Sequence, residues 1–319
     1  GPGTEEESPD MAYYEKTNGH LYSVYFAPRG RDRMYALGMQ IAQLHLSPFD
    51  RIIGVIGEAG SGKSMLIKGM FPGLELTNDD EGVNIRPLPI LCQEDENRFY
   101  SPHTYHLDMR FEMGFTQLHV LVDAIRQAVD RGKRVIVEHF DLLYEALGFN
   151  ADLIVGIGEE VIVTRPNVFG PLPDTIASIV HKSIRTRQMA HTAEDLCERH
   201  MSHEDYLRCE HADIKNGFLL TFPDSRPEID IQRLEEQVLA DIRADLPVEY
   251  ADDGHVRIGG GIQPCTGPRT HVSSTGKIEG FRLLKKLIWD ARSGRWLLVG
   301  RVGALRPDEV GSINNMDLE

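Results

Sequence analysis

The segment Ile52-Ile-Gly-Val-Ile-Gly-Glu-Ala-Gly-Ser-Gly-Lys-Ser64 constrains the fold more than any other stretch of the chain. An apolar β-branched run, a glycine-rich turn and a Lys-Ser pair in this order form the Walker A pattern of a phosphate-binding loop. Gly57, Gly60 and Gly62 permit the torsions that turn successive N–H groups inward. A helix starting near Gly62 adds its positive dipole end beneath the phosphates. Lys63 is expected to reach the β- and γ-phosphates of a nucleotide, and the Ser64 hydroxyl to coordinate Mg²⁺. Gly57, Ala59, Gly60, Ser61, Gly62, Lys63 and Ser64 are thus the candidate binding set for ATP and Mg²⁺. Met65, Leu66, Ile67 and Met70 follow at helical spacing, the context that separates this motif from an incidental glycine-rich loop.

A chain of 319 residues, 41% of them hydrophobic, is long enough for two packed domains. No uninterrupted apolar stretch approaches the roughly 20 residues that span a bilayer. The start is acidic and glycine-rich, unlike a signal or transit peptide. The expected setting is therefore the cytoplasm, with no membrane partner, and residues 1–10 are read as a leader outside the fold. Cys92, Cys197, Cys209 and Cys265 form no CxxC pair and are too sparse for a disulfide framework, which fits a reducing compartment. The formal net charge of -15 argues against indiscriminate nucleic-acid binding, which needs surplus cations. Cations concentrate instead between Arg257 and Arg306, where ten Lys or Arg stand against two acids, Glu279 and Asp290. Such a stretch is either a solvated charged face or a surface for an anionic partner.

Periodicity outlines an α/β domain over residues 11–180. Met34, Leu37, Ile41 and Leu44 predict a helix packed in front of the strand Ile52–Ile56. Leu118, Leu121, Ile125 and Val129 predict a second helix, closed by Gly132 and leading into the strand Val135–Glu138. Leu153–Val155 and Val161–Thr164 read as further buried parallel strands. The run Pro166-Asn-Val-Phe-Gly-Pro-Leu-Pro173 breaks regular structure, and Asp174 is placed to cap the next helix. Residues 181–319 read as an α+β domain with an antiparallel sheet. It opens with a His-rich helical stretch, turns at Asn216-Gly217, and has an amphipathic helix striped by Ile231, Leu234, Val238 and Ile242. Strand-like runs follow at Val256–Ile258, Phe281–Leu284 and Trp296–Val299.

A phosphate loop needs an acid to organise Mg²⁺ and, for a kinase, a base for the acceptor hydroxyl. Glu138, ending its strand, is the candidate for the first role, with Asp141 as the alternative. Thr77-Asn-Asp-Asp80 lies where the strand after the Walker helix should end, so Asp79 is a candidate to face the γ-phosphate; a solvated turn is the other reading. This half resembles the P-loop kinases of the uridine kinase type, in its acid after the second strand and in Arg131-Gly-Lys-Arg-Val-Ile-Val-Glu138. The resemblance implies an acceptor site near Ser101-Pro-His-Thr-Tyr-His-Leu-Asp108, where His103 and His106 are either site or surface residues.

The second half carries a more specific pattern. Gln263-Pro-Cys-Thr-Gly-Pro-Arg-Thr-His-Val-Ser-Ser-Thr-Gly-Lys-Ile278 resembles the Cys-x-Gly-Pro-His-x-x-x-Thr-Gly-Lys-Ile segment of the threonyl-tRNA synthetase second additional (editing) domain, which alanyl-tRNA synthetases and free-standing editing proteins share. His191-Thr-Ala-Glu-Asp-Leu196 resembles the family's His-x-x-x-His helix, and Ile214-Lys-Asn-Gly-Phe218 its Gly-Phe turn. The helix from Leu234 ends in Leu246-Pro247, as in that family. The resemblance implies a cluster of two helical side chains with a Cys and a His, which binds zinc or activates water to cleave an aminoacyl ester. On this chain that set is His191, Asp195, Cys265 and His271. Asp195 departs from the family's second histidine, and two residues are inserted between Cys265 and His271. Aspartate still ligates Zn²⁺ or acts as a base. A degenerate domain kept for binding RNA or a partner is the alternative, and His200, His203, Cys197 and Cys209 form a second candidate ligand set.

The expected function couples the halves: ATP hydrolysis gating an aminoacyl-ester or tRNA-related site, with tRNA contacted through the basic C-terminal stretch. A kinase for a nucleoside or other small hydroxyl compound and an ATP-switched RNA-binding adaptor are the alternatives. Uridine-kinase-like proteins that carry a threonyl-tRNA-synthetase-like domain place it ahead of the kinase, the reverse of the order here.

Overall fold

A computed structural model describes residues 22–79, 84–93 and 102–304; the leader 1–10, Asp80, Ser101 and Arg306 lie outside them. The chain divides into two compact units. The first comprises Gly1–Ala27 and Arg31–His181, the second Pro28–Gly30 and Lys182–Glu319. No helix among the described residues is long and apolar enough to cross a membrane.

The first unit is an α/β layer structure. Its elements are β1 (Ser23–Phe26), α1 (Arg31–His45), β2 (Ile52–Gly57), α2 (Lys63–Met70), β3 (Thr104–Asp108), α3 (Met109–Glu112), α4 (Leu118–Asp130), β4 (Arg134–Glu138), α5 (Tyr144–Leu147), β5 (Leu153–Ile157) and β6 (Glu160–Thr164). The sheet order is β1-β6-β5-β2-β4-β3. β3, β4, β2 and β5 are mutually parallel, and the β5/β6 and β6/β1 pairings are antiparallel. Every residue of β2 is buried because both sheet faces are covered. Ile52 and Ile56 join a core with Leu121 and Ile125 of α4. Ile53 and Val55 point the other way, into a core with Met34, Leu37 and Ile41 of α1 and Leu66 and Ile67 of α2. This two-residue alternation fixes which helices flank β2 on each side.

Several sequence expectations are corrected here. Val161–Thr164 forms a strand but runs antiparallel, since only Gly158 and Glu159 separate β5 from β6 and a parallel return needs a crossover of about a dozen residues. Leu44 is 62% exposed, so the α1 stripe ends at Ile41. No strand among the described residues follows α2 before β3: Thr77–Asp79 is irregular, with Asn78 bridged to Asn84. Thr104–Asp108, within the segment considered for an acceptor, is a strand. The next helix, α6 (Pro173–Arg199), starts at Pro173, which puts Asp174 in its first turn.

The second unit contains the later part of α6, then α7 (His203–Arg208), β7 (Glu210–Ile214), β8 (Gly217–Pro223), α8 (Ile231–Ala244), β9 (Val248–Asp252), β10 (His255–Ile258), β11 (Gly261–Pro264), β12 (Arg282–Leu283), β13 (Ile288–Asp290) and β14 (Arg295–Arg301). One sheet runs β12-β14-β8-β7 with β13 on β14, and a smaller one runs β11-β10-β9; all pairings are antiparallel. The β7–β8 turn is made by Lys215 and Asn216, the latter with a φ of 57°. Leu234 and Val238 of α8 pack with Phe218, Leu220 and Phe222 of β8 and with Ala193 and Leu196 of α6. That packing holds the α6 face carrying His191 and Asp195 against the loop that follows β11.

Candidate metal centre and phosphate-binding loop

His191 and Asp195 are one helical turn apart on α6, while Cys265 and His271 lie in the loop after β11. One ligand atom from each of these four residues lies within 4.8 Å of every other. Cys265 Sγ is 3.5 Å from His191 Nε2 and 3.2 Å from His271 Nε2. Asp195 Oδ2 is 3.3 Å from His271 Nε2. The two imidazoles are stacked, with centroids 4.3 Å apart.

Neighbouring groups set which ring nitrogen faces the centre. His191 Nδ1 donates to the Thr270 carbonyl at 2.9 Å, so its Nε2 turns a lone pair toward Cys265. Thr192 Oγ1 donates to the Gln188 carbonyl and accepts from the Val272 N–H. It therefore accepts from His271 Nδ1 at 2.9 Å, and His271 also presents a lone pair on Nε2. Asp195 Oδ2 is buried and makes no hydrogen bond. Two imidazole lone pairs, a thiol sulfur and an orphaned carboxylate oxygen converge, and such a set repels itself unless a proton or cation sits among its members.

Burial presses every group toward its uncharged form. It pushes His191 down, and it takes His271, with help from the His191 charge, down to about 2. It pushes Asp195 up, reinforced by the charges of Glu198 and Glu194, and raises the Cys265 thiol, reinforced by Asp195. A divalent cation reverses these preferences for the thiol and carboxylate. Tetrahedral zinc with bonds of 2.0–2.3 Å sets its ligands roughly 3.3–3.8 Å apart. The contacts of 3.2, 3.3 and 3.5 Å fit that spacing, and the N, S and O donors fit zinc chemistry. A cavity of about 350 Å³ is lined by Glu198, Met201, Tyr206, Ile258, Ile262 and Gln263. Gln263 Nε2 donates to the Asp195 carbonyl at 2.9 Å.

The second candidate set, His200, His203, Cys197 and Cys209, does not come together. His200 Nε2 pairs with Asp241 at 2.6 Å, and Cys197 is buried in the core. Cys209 instead stands near Glu198 and His211. His211 Nδ1 is 2.7 Å from both Glu194 and Glu198, and Arg29 forms ion pairs with Glu194 and Asp213. Hydrogen bonds to Glu194 and Glu198 push the His211 imidazole up to about 10. Burial opposes ionisation of Glu194, but its bonds from Arg29 and His211 take it down to about 2. His211 therefore contributes stability in full below its unfolded pKa of about 6.5, and that contribution is lost as pH rises through about 10. The expected result is that the melting-temperature advantage of wild type over His211→Gln shrinks between pH 6.5 and 10.5, followed by circular dichroism. An advantage that stays constant across this window contradicts the linkage.

The basic C-terminal stretch is partly neutralised. Arg257 lies near Glu249 and Arg269 near Asp253, each at 3.8 Å, and Arg295 pairs with Glu210.

In the first unit, Gly62 caps α2 with φ 96° and ψ 15°, and Gly60 has φ 78°; both conformations strain any residue with a Cβ. Gly57 serves space instead: a Cβ there would lie 2.9 Å from the Ile157 carbonyl oxygen and 3.0 Å from Ser61 Oγ. Lys63 is only 7% exposed, and its Nζ donates to the Glu58 carbonyl at 3.0 Å. The Lys63 side chain is thus folded back onto its own loop. Ser64 is buried at the start of α2, and Ser61 Oγ is buried without a hydrogen-bond partner. A buried orphan hydroxyl beside left-handed glycines and a helix N-terminus fits a loop that receives an anion.

Glu138 pairs in register with Val55, just ahead of that loop, and is buried. The N–H of His139 donates to the Val55 carbonyl at 2.8 Å. Asp79 is not at a strand end; its carboxylate lies 2.7 Å from Lys68 Nζ. Asp141 falls in the short turn Phe140–Leu142 with Oδ1 buried and unbonded. The geometry singles out three further residues: Asp108 and His106, which the sequence placed only within a candidate acceptor segment, and His139, to which it gave no role. Asp108 ends β3 beside Glu138 and accepts from Asn78 Nδ2 at 3.2 Å. His139 is held at φ 55°, and burial followed by the charge of Lys63 pushes its imidazole down. His106 is buried, not on the surface, with Nε2 2.7 Å from Glu138 Oε2. Asp108 and His139 could have been flagged by their places at the ends of β3 and β4, since ligands of open α/β sheets bind at those ends; His106, in the middle of β3, carries no such signal.

No family model matches the sequence, and no curated protein matches it. Among solved structures, an amino transferase from Eubacterium rectale is similar at 9% identity, over 72% of this chain and 67% of that one. Its TM-score of 0.23 is too low to indicate a shared fold.

Proposed function

We propose that the second unit is a zinc-dependent hydrolase of aminoacyl esters and that the first unit binds ATP with Mg²⁺, its turnover gating the esterase. The convergence of His191 Nε2, His271 Nε2, Cys265 Sγ and the orphaned Asp195 Oδ2 supports this reading above all else. The resemblance of the same segments to synthetase editing domains supports the choice of substrate class. His191, Cys265 and His271 would hold the metal, with the Asp195 carboxylate beside them as the base. Zinc supplies Lewis acidity toward the ester when bound. Asp195 Oδ2, ionised once a cation offsets its burial, takes a proton from the attacking water as the water oxygen bonds to the ester carbonyl carbon. The ester C–O bond then breaks, and the proton passes to the departing ribose hydroxyl, giving free amino acid and the uncharged acceptor. The second site uses the left-handed glycines, Lys63 and Ser64 for the phosphates and Mg²⁺, with Glu138 as the acid.

The test is release of labelled amino acid from a panel of charged tRNAs by zinc-loaded and chelator-treated protein, with and without ATP. Zinc-dependent release that changes with ATP is the expected outcome. Release independent of metal contradicts the zinc role, and acceptor-dependent ADP formation without ester cleavage replaces the reading with that of a kinase.

A further inference from the structure

We propose that His106 is a positioning residue that aims the Glu138 carboxylate toward the phosphate loop. The inference rests on the reading of Glu138 as the acid of an ATP site. It starts from the Thr77 backbone N–H, which donates to His106 Nδ1 at 3.0 Å. An amide nitrogen only donates, so Nδ1 is the accepting nitrogen, and the ring hydrogen sits on Nε2. Nε2 then donates to Glu138 Oε2 at 2.7 Å, a short bond of the charge-assisted kind.

The ring has no freedom to serve another purpose. His106 is 2% exposed on the central part of β3, and the Thr77 hydroxyl donates to its carbonyl at 3.0 Å. β3 and β4 are parallel, with Asp108 opposite Glu138 and His106 opposite Ile136. His106 therefore reaches Glu138 from further back along the sheet, away from the strand ends where the loop begins. A carboxylate held through one oxygen from behind keeps its orientation when a cation or water arrives in front. The same ring ties the segment after α2 to this acid, since Thr77 is followed by Asn78, which bonds Asp108, and by Asp79, which pairs with Lys68 of α2.

Two substitutions separate positioning from simple support. His106→Asn keeps an acceptor for the Thr77 N–H but cannot reach Glu138; His106→Gln supplies an amide donor toward Glu138. The full chain is assayed for ATP turnover across Mg²⁺ concentrations, for ATP binding by calorimetry with and without Mg²⁺, and for melting temperature. His106→Asn is expected to lower kcat about tenfold to a hundredfold. It should also raise the Mg²⁺ needed for half-maximal turnover, leave Mg²⁺-free ATP binding unchanged, and spare the melting temperature more than His106→Gln. His106→Gln is expected to retain turnover within about threefold of wild type. In a Glu138→Gln background, His106→Asn should add no further loss. Wild-type turnover in His106→Asn, or losses in both variants that track melting temperature alone, overturns the proposal. If Glu138→Gln also turns over ATP at the wild-type rate, the reading of Glu138 falls with it.

Discussion

Cys265→Ser is expected to weaken zinc binding on the order of a hundredfold while leaving the second unit folded. Structural zinc sites contribute about 10–16 kcal/mol, which spread over four ligands is about 3 kcal/mol each. Loss of the thiolate is expected to be damaging because both imidazole Nε2 groups approach Sγ, at 3.2 and 3.5 Å. Serine preserves shape but offers a much harder and more weakly acidic donor. Competition against a chromophoric chelator at pH 7 measures the affinity, and melting temperature without metal checks the fold. Equal affinity in variant and wild type removes the metal centre, whatever its activity. Asp195→Asn removes the base and leaves the three metal-holding residues, so zinc should stay bound while ester cleavage falls, on the order of a hundredfold.

Lys63→Ala is expected to raise the dissociation constant for ATP with Mg²⁺ by a factor on the order of 10² to 10³, as suits loss of a cation worth a few kcal/mol to the phosphates. Lys63 is buried and bonded to the Glu58 carbonyl, so alanine also removes a hydrogen bond worth about 1 kcal/mol to the fold. Lys63→Met, which keeps the buried stem, isolates the charge. Calorimetry reads binding and thermal melting reads stability; wild-type affinity in Lys63→Met contradicts the phosphate assignment. The Glu58 carbonyl accepts from both Lys63 Nζ and the Ser61 N–H, so nucleotide binding should also release Lys63 from its present partner.

Local chemistry was legible in the sequence. The left-handed conformations of Gly60 and Gly62 follow from the motif, since only glycine adopts them freely. Helical repeats fixed α4 and α8 because a buried stripe every 3.6 residues admits no other regular structure. The direction of β6 is set by its connection rather than by its composition: the two residues Gly158 and Glu159 dictate a hairpin, while the apolar run that suggests a parallel strand says only that the strand is buried. The i, i+4 spacing of His191 and Asp195 puts them on one face, and the segment from Gln263 to Ile278 named their partners by resemblance.

What the sequence by itself determined is thus which short segments curl, extend or turn, and which side chains those segments carry. Only the tertiary structure decided which of them meet. Strand order brought His106 to Glu138 across β3 and β4, although their spacing of 32 residues has no local signature. Packing of α6 against the loop after β11 turned the His191 and His271 rings so that Thr270 and Thr192 occupy their Nδ1 atoms and leave Nε2 to the centre. It also sent Cys209 to Glu198 and His211 while His200 went to Asp241. The physical reason is range: torsional preference and hydrophobic period act over a few residues, whereas ring orientation, pKa and coordination depend on partners supplied by distant segments and on the water excluded when they pack.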